Sequence, residues 1–269
     1  KHIAYFTRHF STGKYPTTQI LNLTEEICYA ILDAYPDLTT LRKLHSKLFL
    51  DPGLRSNPSI GIKLMRAYAV RGEPGITRKV FDKITEKNVV FFNVMIRSYV
   101  NNRMYIDGIR IFQDMSGQGC SADNYSYPCV LKACSGSGNL LVGLQVHCRV
   151  VKVGLGSNVF VGNGLISMYG KCRCLVEARR VLDEMPRIDV VSWNSMVAGY
   201  AQSGRFDDAL DVCKEMEGLM KPDSGTMASL LPAVTNTKCD NVFYVKGMFE
   251  KIGGRGLVSW NVMIAVYMK

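Results

Sequence analysis

The sequence predicts an all-α chain, a solenoid of stacked helix-turn-helix repeats. Three observations carry that prediction. Apolar residues recur at i, i+3, i+4 and i+7 through most of the chain, and strand-type alternation is absent. Long stretches return about a hundred residues later: NPSIGIKLMRAYAVRGEPGITRKVFDKITEKN from Asn57 matches NVFVGNGLISMYGKCRCLVEARRVLDEMPRID from Asn158. One short motif occurs three times, as VVFFN at Val89–Asn93, VVSWN at Val190–Asn194 and LVSWN at Leu257–Asn261. A short helical hairpin cannot bury two apolar faces by itself, so copies must stack, and the first helices of the hairpins then line one surface.

The segment 1–24 stands apart. It holds Lys1, His2, Arg8, His9 and Lys14 and no acid before Glu25, the composition of an organellar transit peptide. Arg8-His9-Phe10-Ser11 also resembles a plant mitochondrial processing site. In the copy from Val89, Phe92, Met95, Ile96 and Tyr99 form one helical stripe, and Tyr105, Gly108, Ile109, Phe112 and Met115 form a second. In the copy from Val190 the stripes are Trp193, Met196, Val197 and Tyr200, then Phe206, Ala209, Leu210, Cys213 and Met216. Gly204 between them suits the left-handed position that ends a helix. Asp207 and Asp208 oppose the dipole of the second helix, and Pro222 stops it. Ser192 and Ser259 read as the helix caps of their copies, which leaves Asn194 and Asn261 free for another task.

Composition narrows the function. Apolar residues make up 47% of the chain, enough for a sizeable core and against global disorder. No run approaches the roughly 18 apolar residues of a membrane span, and no membrane partner is expected. The net charge of +10 suits a polyanion. Nine scattered cysteines fit small buried helix residues in a reducing compartment better than a disulfide framework. Cys172 and Cys174 have no second pair at zinc-ligand spacing. Gly13-Lys14 lacks the rest of a P-loop, and the zinc-deaminase elements are missing. His45 and His147 stand at equivalent places and read as framework residues. No catalytic residue, metal site or cofactor is expected, and the chain is not read as an enzyme.

DVVSWNSMVAGYAQSGRFDDALDVCKEM followed by KPD resembles a pentatricopeptide repeat, and the alternation of three repeat lengths resembles the plant PLS subclass. The parse gives seven repeats, 25–57, 58–88, 89–123, 124–158, 159–189, 190–223 and 224–256, with a truncated eighth at 257–269. The resemblance is to the N-terminal repeat region of an organellar RNA-editing factor. It implies a right-handed, tetratricopeptide-like superhelix that binds single-stranded organellar RNA, one repeat per nucleotide. The implied location is the mitochondrion, with the chloroplast as alternative. The implied role is RNA processing such as the choice of C-to-U editing sites, with editing or processing proteins as partners.

In that family the fifth and last residues of a repeat read the base, and the second packs against it. The positions that match are Asn93 with Asp123, Asn163 with Asp189, Asn194 with Asp223, and Asn261. The packing residues are Val90, Phe160, Val191 and Val258. An amide both donates and accepts, and a carboxylate accepts, so the pair suits uracil with its N3–H between two carbonyls. Tyr29, Ile62, Pro128 and Ala228 stand at the fifth position elsewhere and carry no amide. The expected preference over 58–256 is any-U-any-U-U-any, 5′ to 3′. Lys132, Arg149, Lys152, Lys171, Arg173, Arg179 and Arg180 are candidates for phosphate contact. A protein-binding scaffold of the tetratricopeptide type is the alternative function.

Overall fold

The computed structural model describes residues 23–236, 240–252 and 256–268. The predicted transit segment lies almost wholly outside these residues, as does Cys239. Among the described residues there are sixteen helices and no strand: α1 (Glu25–Asp33), α2 (Leu38–Leu50), α3 (Pro52–Ser56), α4 (Pro58–Val70), α5 (Pro74–Asp82), α6 (Val89–Asn101), α7 (Tyr105–Gly117), α8 (Ser126–Ser137), α9 (Leu140–Lys152), α10 (Val159–Lys171), α11 (Leu175–Glu184), α12 (Val190–Gln202), α13 (Phe206–Glu217), α14 (Ser224–Asn236), α15 (Asp240–Lys251) and α16 (Leu257–Tyr267). The all-α prediction holds. No helix among the described residues is long and apolar enough to cross a membrane.

The chain forms two compact units, Lys1–Ser126 and Tyr127–Lys269. In the first, α1, α4 and α6 pack side by side, and α5 and α7 fold back on α4 and α6. In the second, α10, α12, α14 and α16 make the same kind of row, backed by α11, α13 and α15. The apolar stripes face inward. Phe92, Met95 and Ile96 of α6 are fully buried, and the Phe92 ring meets Phe81 of α5 edge-on at 5.2 Å between centroids. Trp193, Met196 and Val197 of α12 and Ala209, Leu210, Cys213 and Met216 of α13 are all buried, and the two helices pack together. His45 meets Tyr68 at 3.1 Å, and His147 meets Tyr169 at 2.8 Å. Each imidazole is thereby tied to a first helix of its own unit.

Local signals explain the boundaries. Gly204 takes φ +77° and lets α12 end with Arg205 N–H on the Tyr200 carbonyl and Gly204 N–H on that of Ala201. The short α3 is not foreshadowed by periodicity; Asp51 caps it and Pro52 opens it. The cysteines are mixed rather than uniformly buried. Cys28, Cys134 and Cys213 are buried, Cys148 is exposed, and the other four described are intermediate. Burial pushes the Cys134 and Cys213 thiols up to about 12.

The helix caps correct one expectation. Ser192 does not cap α12. Asp189 does, and Ser192 is the third helical residue. The Asp189 carboxylate accepts from Ser192 N–H at 2.8 Å, and the Ser192 hydroxyl accepts from Asp189 N–H at 3.2 Å. The physical reason is reach: a side chain one step outside the helix meets the free N–H groups, and a residue inside it points back. Asp123 with Ser126 and Asp223 with Thr226 repeat this reciprocal bond ahead of α8 and α14. Ser259 does not cap α16 either; Gly256 stands at its cap position and offers no side chain.

Partial desolvation alone would raise these three carboxyls. Hydrogen bonds from the next helix and from Asn93, Asn163 and Asn194 outweigh it and hold Asp123, Asp189 and Asp223 below the usual carboxylate range.

Gly170 of α10 and Gly199 of α12 meet backbone to backbone, and a Cβ on Gly199 would stand 3.2 Å from Gly170 Cα. Gly199→Ala is expected to cost about 1–3 kcal/mol in denaturant unfolding; an unchanged midpoint would mean that the row of helices yields at no cost. Asp189→Ala is expected to cost about 1–2 kcal/mol at neutral pH. The folded carboxyl titrates below its ordinary 3.8, so its contribution is complete above that value and is lost as the pH falls through the lower folded one. The gap between wild type and Asp189→Ala should therefore be constant from about pH 7 to 5 and close below about pH 4. A gap that widened on acidification would contradict the assignment.

Candidate nucleic-acid interface

In each of the three Asn–Asp pairs singled out from the sequence, the two side chains are hydrogen-bonded to each other. Asn93 Nδ2 donates to Asp123 Oδ1 at 3.0 Å, Asn163 Nδ2 to Asp189 Oδ1 at 3.1 Å, and Asn194 Nδ2 to Asp223 Oδ1 at 3.1 Å. Each Asn stands on a first helix, and each Asp stands at the start of the first helix after it. The register follows from the 3.6-residue turn. The residue on one side of the Asn packs inward, as Phe92 and Trp193 do, and the Asn is left at the rim of the core, half-buried. Asn261 on α16 is exposed.

A third residue joins each pair that the sequence reading assigned to capping or passed over. The Ser126 hydroxyl lies 2.7 Å from Asn93 Oδ1 and 2.9 Å from Asp123 Oδ1. The Ser192 hydroxyl lies 2.6 Å from Asn163 Oδ1 and 2.9 Å from Asp189 Oδ1. Thr226 lies 3.1 Å from Asp223 Oδ1, but Asn194 Oδ1 is buried with no partner. The spacing Asp-x-x-Ser/Thr was visible at all three places.

Apolar surface flanks the pairs. Phe160 is 71% exposed, Val191 55% and Val258 47%, and Val90 is half-buried. An exposed hydrophobic side chain is ordinary when alone; these share one place, at the start of a first helix three residues before an Asn. Tyr125, 63% exposed, occupies the equivalent second position of its repeat and was missed. In the first unit, Val90, Asn93, Asp123 and Tyr125 share one cleft of about 660 Å3 with Lys63, Arg66 and Arg97. In the second, Val191, Asn194 and Lys171 border a smaller hollow of about 190 Å3.

The basic residues divide. Lys132, Lys171, Arg66 and Arg97 are exposed. Lys63 pairs with Asp33. Arg179, a candidate for phosphate contact, is instead committed to structure: its guanidinium grips Glu215 of α13 at 2.8 and 2.7 Å and Asp183 at 2.9 Å. The Glu215 carboxylate beside it raises the Arg179 pKa further. That fork ties α11 to α13 and occupies three of the five guanidinium N–H donors.

Chemically, each pair presents an edge of one donor and one acceptor. The second Nδ2 hydrogen of the Asn and the Oδ2 of the Asp have no partner among the described hydrogen bonds. An apolar or aromatic side chain stands close by. A flat heterocycle with an acceptor next to a donor fits such an edge.

Comparison with known proteins supports the resemblance to pentatricopeptide repeats. A family model described as PPR repeat family matches residues 87–136, and one described as PPR repeat matches 163–190 and 191–219. A pentatricopeptide repeat-containing protein of Arabidopsis thaliana is 60% identical over 240 residues, 89% of this chain and 35% of the relative. A second Arabidopsis thaliana protein, named chloroplastic/mitochondrial, is 28% identical over 296 residues, 95% of this chain and 46% of the relative. The chain thus spans about a third to a half of the length of these relatives. The crystal structure of the pentatricopeptide repeat protein PPR10 from maize matches 97% of the chain with TM-score 0.70 at 17% identity, and the chain covers 38% of it. PPR10 in complex with an 18-nt psaJ RNA element gives the same TM-score. At that identity the likeness is one of fold. Repeats are thus matched in three places, and the chain is similar to pentatricopeptide repeat-containing proteins along most of its length.

Proposed function

We propose that this chain binds single-stranded RNA sequence-specifically, one repeat per nucleotide, with uridine preferred at repeats 89–123, 159–189 and 190–223. The observation that carries the reading is the amide–carboxylate pair, formed three times at the same structural place beside exposed apolar side chains. The outward Nδ2 hydrogen suits a uracil carbonyl, and the carboxylate suits the N3–H next to it. Val90, Phe160, Val191 and Tyr125 supply stacking surface, which is sequence-tolerant and contributes about 1–3 kcal/mol per base. Arg66, Arg97 and Lys171 lie beside the pairs, where phosphates of a bound strand would pass. The RNA complex of a structural relative supports the same partner class.

The ladder serves target choice in organellar RNA processing, such as the selection of C-to-U editing sites, in the mitochondrion or the chloroplast. Relatives named for both organelles support this placement. Asn261 is the reader of a further repeat, and Val258 is its packing residue. Editing or processing proteins are the partners this role requires.

RNA selection from a random pool by the full chain tests the function. The expected motif carries U-any-U-U, one base per repeat from 89–123 to 190–223. Each uridine changed to adenosine should cost about 1–3 kcal/mol, by analogy with paired base-edge contacts, and affinity should fall steeply with salt. A selected motif without uridine at that spacing would sink the base-reading assignment. Equal competition by any RNA, or preferential capture of a peptide ligand, would favour the protein-binding scaffold.

A further inference from the structure

The junctions between repeats are of two kinds, and the difference extends one residue beyond the pair. Three junctions have Asp at the end of one repeat and a hydroxyl three residues later: Asp123 with Ser126, Asp189 with Ser192, Asp223 with Thr226. In each, the repeat that ends there carries Asn at its fifth position. Three other junctions have Asn caps, Asn57, Asn88 and Asn158, and an apolar residue at the same later place, Ile60, Phe91 and Val161. Their repeats carry Tyr29, Ile62 and Pro128 at the fifth position. Hydroxyl, carboxylate and amide occur together or not at all in these six.

The seventh junction breaks the set. The Ser259 hydroxyl is buried and has no partner. Gly256 stands where the other hydroxyls meet Asp, and Ala228 stands where they meet Asn. The hydroxyl is present, and the two groups it would hold are absent.

We infer that the hydroxyl three residues after the terminal Asp is a positioning residue for base specificity. The inference rests on the base-reading function proposed above. A primary amide bonded only through Nδ2 can still pivot and turn its carbonyl outward. A hydroxyl on Oδ1 pins the other end. The proton balance favours this arrangement: Asp123 Oδ1 already accepts from Asn93 Nδ2–H and from Tyr125 and Ser126 N–H, so the single Ser126 proton is best used by Asn93 Oδ1. Turned over, the amide would set its carbonyl against the carboxylate, acceptor to acceptor. With both ends held, the second Nδ2 hydrogen and Asp Oδ2 are the groups that these bonds leave over for a base. Asn93 and Asn163 are locked in this way. Asn194 is held at one end, because Thr226 reaches Asp223 alone. Gly225, at the second position beside it, adds no covering side chain, and a Cβ there would stand 3.0 Å from Asn194 Nδ2.

The readout is base discrimination at each repeat, measured as the affinity ratio between RNAs that carry uridine or another base at one position. Ser126→Ala and Ser192→Ala in the full chain should lower the ratio at their own position about tenfold, the worth of one hydrogen bond, and leave the ratios at the other positions unchanged. Thr226→Ser should raise the ratio at repeat 190–223. The double variant Ala228→Asn with Gly256→Asp should create uridine preference at repeat 224–256, where the wild type has none, and adding Ser259→Ala should abolish it. Unchanged ratios in Ser126→Ala and Ser192→Ala, with only the melting temperature lowered, would reduce the hydroxyl to a helix cap and overturn the inference. So would a new preference in the double variant that survives Ser259→Ala. A wild-type chain with no base preference at any repeat would instead overturn the base-reading function, and the inference with it.

Discussion

A single carboxylate oxygen at the end of a repeat organises everything around it. In Asp189 it accepts the N–H of Ser192 in the helix that follows and the amide of Asn163 in the helix before. The first is an obligation of any helix, whose leading N–H groups need acceptors. The second links that obligation to the preceding helix. Two successive first helices are thereby joined by a charge-assisted hydrogen bond, and the angle at which the amide emerges is set by where the next helix starts. The exposed second residue, Val191, follows from the same geometry, because it stands between the cap and the first inward-facing turn.

The two kinds of junction have a simple electrostatic reason. A half-buried carboxylate needs several donors to stay charged. Ser126 and Ser192 each supply a backbone N–H and stand with their hydroxyls beside the same oxygen, and the Asn supplies one more donor. Where the later residue is Phe91 or Val161, that polar surround is gone, and a neutral Asn cap meets the helix N–H groups without a charge to stabilise. An amide at the fifth position and a charged cap therefore belong together for reasons of stability, whatever the pair binds.

Much of the architecture could be read before any coordinates. The inward stripes at Phe92, Met95 and Ile96 and at Trp193, Met196 and Val197, and the left-handed turn at Gly204, follow from periodicity and backbone sterics, which are local. The Asn–Asp pairs could be placed because a repeat copies its register. Other features depend on contacts between segments distant in sequence. Arg179 looks like any surface cation until Glu215, a hairpin later, takes both its amino groups. The short α3 rests on Asp51 and Pro52, too brief for periodicity to mark. Ser192 was misread because a serine near a helix start suits a cap, and one turn of offset decides between cap and third residue. Tyr125 was overlooked because its neighbours differ from the VVSWN pattern, although its position in the repeat is the same.

The reciprocal bond between Asp189 and Ser192 also bears on how such a chain can be rearranged. Counted as a repeat, 159–189 ends at the carboxylate and 190–223 begins just after it. Physically the seam runs elsewhere, since Asn163, Asp189 and Ser192 form one cluster that spans both. A crossover at the formal boundary would separate a carboxylate from the hydroxyl and N–H groups that hold it. A cut at the turn between the two helices of a repeat, where Arg173 or Gly204 carries the chain around, keeps carboxylate and hydroxyl together but parts both from the Asn of the helix before. The shortest piece that keeps the cluster whole therefore runs from the first helix of one repeat into the first turn of the next first helix, past the boundary its sequence displays.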